Sequence, residues 1–317
     1  MTLILVRKLL RDVRPALAVV CLVLFGFAAL WVKITQRVTA EITPFFNVVA
    51  AQAGLNAKAF EDILFRGPGK VSQAVLGGAD LRFEQPTDFL AVAMLHPVVL
   101  TLGCVWAVGR AAGAVAGEID RGTMELLLSQ PIPRNRLILA HFLVDCLVIP
   151  VLCASFYAGT QFGLWAVGPF TVDYSAVEKL GLPVPEDVPA EMPVSAKTEP
   201  RALTNYAALL FALSGMTMAF SAAGRSRWKV VGAGVLVAVL MFIANVLGQL
   251  WDDAAFLRPF SLFYYYQPQK IMLRGEWSTD LGTLGPVPTV GLLLAVGAVG
   301  YAIALWVFTR RDLPAPL

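Results

Sequence analysis

The sequence predicts an all-α integral membrane protein with six transmembrane helices. Three observations carry that prediction. Of 317 residues, 57% are hydrophobic and only 15% charged, whereas soluble domains carry about a quarter charged residues. Six apolar runs are each long enough to cross roughly 30 Å of hydrocarbon as helices. None of them alternates with the period of two that a membrane barrel strand needs.

The chain opens with "MTLILVRKLLRDVR", residues 1–14, which sets Leu3, Val6, Leu9, Leu10 and Val13 on one helical face. Arg7, Lys8, Arg11 and Arg14 fall largely on another, the pattern of a helix lying in a membrane interface. Pro15 then begins the six-helix transmembrane domain, residues 15–317, since proline is tolerated in a first helical turn. Its expected spans are Pro15–Val32, Phe89–Ala116, Leu137–Gly168, Ala202–Ala223, Val230–Leu250 and Val287–Thr309. The first resembles a signal peptide, but it is long and ends in "LWVKITQR", a poor cleavage site, so a retained helix is expected.

Lysine and arginine placement orients the spans. Residues 1–14, 118–136, 225–229 and 310–317 fall on one side and carry 12 Lys/Arg against 5 Asp/Glu. The opposite side, 33–89, 169–203 and 251–286, carries 12 Lys/Arg against 16 Asp/Glu over many more residues. The basic, short-looped side is expected to be cytoplasmic, with both termini there.

Three outer loops follow, 33–88, 169–201 and 251–286. The first contains "FFNVVAAQAGLNAKAFEDILF", residues 45–65, whose spacing predicts helices on the outer face. The second is rich in proline and acid and is expected to be extended. The third holds Tyr264, Tyr265, Tyr266 and Trp277, which suit a headgroup-level aromatic belt. Small residues crowd the end of the second span (Gly109, Gly113, Gly117) and recur in the fifth (Gly232, Gly234) and sixth (Gly291, Gly297, Gly300). They permit close helix approach.

Motifs for chemistry on this chain are weak. "LFRGPGKVS" has Gly69-Lys70, but Leu64 replaces the first glycine of a phosphate loop and Val71 the magnesium-binding hydroxyl. There is no HExxH and no GxSxG. His96 and His141 are separated, and Cys21, Cys104, Cys146 and Cys153 all lie in spans without metal-type spacing. No catalytic, cofactor-binding or metal-ligating residue is expected.

Two ionisable groups do sit inside spans, where they are expensive without partners: Arg110 and Asp145. At 1.5 Å per residue both lie roughly 12 Å from the same interface. Antiparallel neighbours would set them level, so an Arg110–Asp145 pair is expected to hold the second and third spans in register.

Between those spans runs "GEIDRGTMELLLSQPIPRNR", residues 117–136. A short helix is expected over 118–128, with Ile119, Thr123, Leu126 and Leu127 along one face. Gly122 interrupts it, and Pro131 and Pro133 end it. The stretch resembles the loop between the second and third spans of type-2 ABC transporter permeases. An acid, a Gly-Thr pair, a leucine-rich turn, a proline and an arginine recur there, here Glu118, Gly122, Thr123, Leu126, Leu127, Pro131 and Arg134. Six spans, an N-terminal interfacial helix and the short basic loop "GRSRWK" match as well. The long first outer loop is closer to the permeases of nitrous-oxide-reductase maturation or sodium export.

The resemblance implies a permease subunit, not an enzyme, whose cytoplasmic coupling helix docks on a separate ATPase. The coupling residues it implies are Glu118, Arg121, Gly122, Thr123, Glu125, Leu126, Leu127, Pro131 and Arg134. It further implies two ABC ATPase subunits that carry the ATP and magnesium, a second permease copy (a homodimer, with a heterodimer as the alternative), no nucleic acid, and export across the cytoplasmic membrane of a prokaryote. A second function stays open at this stage: ATPase-driven mechanical or signalling work on an outer partner, without transport.

Overall fold

The computed structural model describes residues 2–52, 85–130, 133–179, 181, 191–282 and 285–311. Six helices among them are long and apolar enough to cross a membrane, so the chain is an all-α integral membrane protein. The remainder of the 45–65 stretch beyond Gln52, the Gly69-Lys70 pair and Pro131 lie outside the described residues.

Helix α1 runs from Thr2 to Arg37 without a break. The amphipathic segment and the first span are therefore one rod of about 54 Å, and Pro15 sits inside it instead of opening a new helix. Its basic residues stay exposed, while Leu5 and Val6 join the core. A π-helical turn, Val38–Ile42, passes it into α2, Thr43–Gln52.

The second span is built from pieces. Helix α3 (Pro86–Val92) and a 3-10 turn (Ala93–Leu95) lead to His96, whose Nδ1 accepts from the Val98 N–H. Pro97 then opens α4 (Pro97–Ala114), a position where its missing N–H costs nothing. At Val115 the backbone departs from helix geometry, with φ −114° and ψ −58°. Two short helices follow, α5 (Ala116–Asp120) and α6 (Met124–Leu128). The third span is α7, Arg134–Val167, which carries Pro150.

Beyond it, β1 (Phe170–Thr171) pairs antiparallel with β2 (Glu191–Met192), and α8 (Ser175–Lys179) lies between them. The described ends of the proline-rich loop are thus zipped together. The fourth and fifth spans are α9, Glu199–Ala223, and α10, Arg227–Leu250. After two 3-10 segments come α11 (Pro268–Arg274), the hairpin β3 (Ser278–Asp280) and β4 (Pro286–Pro288), and the sixth span α12, Thr289–Arg310.

Helix α9 is the hub, touching α4, α7, α10, α11 and α12, while α1 packs along α7. Both long pairings depend on glycine. A Cβ on Gly215 of α9 would strike the backbone of Gly297 in α12, and one on Gly159 of α7 would strike the backbone of Phe25 in α1. Bare backbones in contact maximise dispersion where no hydrophobic force separates helix from lipid.

The third outer loop differs from the expected belt. Tyr265 and Tyr266 are buried, with the Tyr266 hydroxyl donating to the Met94 carbonyl at 2.7 Å. A headgroup belt needs exposed rings, but Tyr266 packs over the turn that leads to α4 and the Tyr265 hydroxyl donates to the Pro259 carbonyl at 3.0 Å. The exposed tryptophans at span ends are Trp165, Trp228, Trp251 and Trp306, and Trp277 is also exposed.

Candidate functional site: the loop between α4 and α7 and the polar cluster beside it

The loop is folded by its own side chains. Gly122 has φ +70°, the left-handed conformation that a side chain resists, and it ends α5. The interruption expected at Gly122 thus divides the 118–128 stretch into two short helices. Glu118 staples the turn: its carboxylate accepts from Arg121 Nη2 and from the Thr123 hydroxyl. There is open space around Gly122, so conformation, not bulk, is what demands glycine there.

Past the turn the side chains part company. Met124 is 3% exposed and joins a core cluster with Leu137, Ile138, Met218, Ala304 and Phe308. Leu126, two residues on, is 71% exposed, and Glu125 beside it is exposed as well. Leu127 and Thr123 are half-buried. The expected apolar face of Ile119, Thr123, Leu126 and Leu127 therefore does not stay together. A helix broken at Gly122 cannot keep one face across the break, so Met124 becomes the anchor and Leu126 the tip.

Side chains also fix the loop to the rest of the bundle. Asp120 Oδ2 accepts from the Arg227 N–H at 3.3 Å and so caps α10, whose own N-cap residue Ser226 contributes no side-chain bond. Arg134 Nη1 donates to the Arg311 carbonyl at 2.5 Å. Arg311 Nη1 in turn donates to the Ala222 and Gly224 carbonyls at 2.9 and 2.8 Å, closing the end of α9. Arg134 thus faces inward to the ends of α12 and α9.

About two turns into the bundle lies the polar cluster. Arg110 of α4 forms an ion pair with Asp145 of α7, the two side chains being 8% and 1% exposed. Arg110 Nη2 also donates to the His141 carbonyl at 3.1 Å. The same Asp145 oxygen accepts from Ser214 of α9 at 2.6 Å and from the Tyr301 hydroxyl of α12. Phe142 and Phe211 flank the Tyr301 ring. Four helices thus meet at one carboxylate. A buried charge of this kind needs both an opposite charge and hydrogen bonds to offset its desolvation, and Asp145 has both.

A model of the family described as "ABC-2 family transporter protein" matches residues 6–313. The chain belongs to that family. Neither a curated protein nor a solved structure matches it. As an ABC-2 transporter component it is a multi-pass permease, and the loop just described lies between its second and third spans. Among the described residues of the permease, no group of three or more His, Cys, Asp or Glu residues is placed to hold a metal ion.

Ser214, Tyr301, Met124 and Asp120 carry this site without having been singled out for it in sequence. Ser214 and Tyr301 lie on helices distant in sequence from Asp145, and no spacing rule links them to it.

Proposed function

We propose that this permease moves a substrate out across the cytoplasmic membrane of a prokaryote, driven by ATP hydrolysis on separate ABC ATPase subunits. Two such subunits, carrying the ATP and magnesium, dock on two permease copies, and both termini of each copy are cytoplasmic. The observation that carries this reading is the loop tip. Leu126 and Glu125 project from a turn stapled by Glu118 and anchored by Met124. An exposed leucine on a braced platform gives a partner an apolar anchor. The braces pass its displacement to α4, α7 and α10.

The basic excess on that side of the sequence supports the orientation. The energetics require a partner too. Reversing a two-state population from about 1:99 to 99:1 takes roughly 5.5 kcal/mol of differential binding. Nucleotide binding on a docked motor is a source of that size.

The test is capture of an ABC ATPase by the tagged permease from its own host's membranes. Wild type should retain the ATPase and stimulate its hydrolysis in liposomes, while Leu126→Asp should lose capture and remain monodisperse. Equal capture by Leu126→Asp would reject the docking tip. Substrate flux in the same liposomes separates export from mechanical work on an outer partner. A cysteine at Leu126 that reacts with an impermeant maleimide in intact cells would invert the orientation.

A further inference from the structure

Where α4 gives way to α5, the helical ladder is opened by a side chain from another helix. In an unbroken helix the Ala116 N–H would donate to the Ala112 carbonyl. Here the Ser221 hydroxyl of α9 stands between them. It accepts from the Val115 and Ala116 N–H groups, each at 3.1 Å, and donates to the Ala112 carbonyl at 3.1 Å. A serine hydroxyl offers one donor and two acceptor positions, so its capacity is filled. Insertion of a side chain into the ladder is a recognised cause of sharp kinks.

Two features make the insertion selective. Ala111, Ala112, Ala114 and Ala116 are all fully buried, and their small size lets α9 come close enough for Ser221 to reach the backbone. The freed groups are shut away from solvent, and while the segment stays broken the Ser221 hydroxyl is their partner. One turn earlier on α9, Thr217 is equally buried and its hydroxyl has no hydrogen-bond partner. Burial of a hydroxyl on this face does not by itself open the ladder; the Ser221 geometry does.

Beyond the break the chain changes allegiance. Asp120 is bonded to the start of α10, and Met124 is packed among the ends of α7, α9 and α12. Before it, α4 is tied to α7 through Arg110 and Asp145.

We infer that Ser221 is the pin of a hinge at Val115, a positioning residue that lets the α5–α6 lever turn against α4 while the buried backbone stays hydrogen-bonded throughout. The meaning of that turn for transport rests on the reading of the loop as the ATPase docking site, but the hinge itself does not. Removing the hydroxyl leaves the Ala116 N–H and Ala112 carbonyl to find each other, which straightens the segment. Closing a kink of about 20° moves a tip some 15 Å away by about 5 Å.

The experiment is a spin-label distance measurement in nanodiscs, in a chain whose native cysteines are replaced. Labels go at Val105 on α4 and Leu126 at the tip, both exposed, and no ATPase is present. Ser221→Ala should shift the distance by about 5 Å, the displacement that straightening produces. Thr217→Val should leave it at the wild-type value. Ala116→Pro in the Ser221→Ala background should restore it. Proline lacks the N–H needed to close the ladder and is suited to the first position of α5. The hinge is rejected if Ser221→Ala keeps the wild-type distance, if Thr217→Val shifts it as far, or if Ala116→Pro fails to restore it. Because the motor is absent, these outcomes are independent of whether Leu126 captures an ATPase.

Discussion

The two ends of the bundle both use side chains bonded to distant backbone, with different results. At the end away from α5 and α6, Tyr266 reaches the Met94 carbonyl and Tyr206 the Val99 carbonyl. Asn205 there bonds the Tyr265 carbonyl and the Gln267 N–H at once. Among the described residues, the bodies of Tyr206, Tyr265 and Tyr266 are buried together with these bonds. At the loop end, Ser221, Asp120, Arg134 and Arg311 bond backbone groups freed by helix ends and breaks. The apolar tip above them remains exposed. The same kind of bond packs buried aromatic rings at one end and braces a projecting turn at the other.

Substitutions at four places break or sharpen that comparison. The largest effect belongs to neither end but to the cluster between them. Asp145→Ala leaves the Arg110 guanidinium buried without its counter-charge and should cost about 3–5 kcal/mol, read as a fall in the melting temperature of the purified permease. Replacing the pair together, Arg110→Met with Asp145→Leu, should regain most of that loss. A double variant no more stable than Asp145→Ala would show that Ser214 and Tyr301 need the carboxylate more than Arg110 does.

At the aromatic end, Tyr266→Phe strands the Met94 carbonyl and should cost about 1–3 kcal/mol in the same melt. ATPase capture should be untouched, because the change is remote from the tip. Gly122→Ala at the loop end should cost about 1–2 kcal/mol through its positive φ, and Gly122→Asn less. There the more sensitive readout is ATPase capture, since the turn aims Leu126. The smallest stability effect is Leu126→Ala, within about 0.5 kcal/mol as for an exposed residue, together with a clear drop in capture. If Tyr266→Phe reduced capture as much as Leu126→Ala, the two ends would not be functionally separate.

Much of this was readable in advance for a physical reason. Spans are written in composition, because a helix in lipid must be apolar over about 20 residues whatever its neighbours are. The six runs consequently lie close to the six helices. Arg110 and Asp145 stood out because a charge within an apolar run is rare, and the structure brings the two together. Gly122 announced a break because only glycine is at ease at positive φ.

Other features depended on neighbours. Nothing local distinguishes Ser221 from Ser214 or Thr217; their roles follow from which backbone or carboxylate a second helix brings within reach. Tyr265 and Tyr266 have the composition of a headgroup belt, and only tertiary packing made them core. Met124 and Leu126 are both apolar, and the break at Gly122 alone sent one inward and the other out. The sequence determined what crosses the membrane, because transfer into lipid is a sum over each segment's own residues. Tertiary structure decided which polar groups meet, because a hydrogen bond depends on two positions, and Ser221 lies more than a hundred residues from the backbone it bonds.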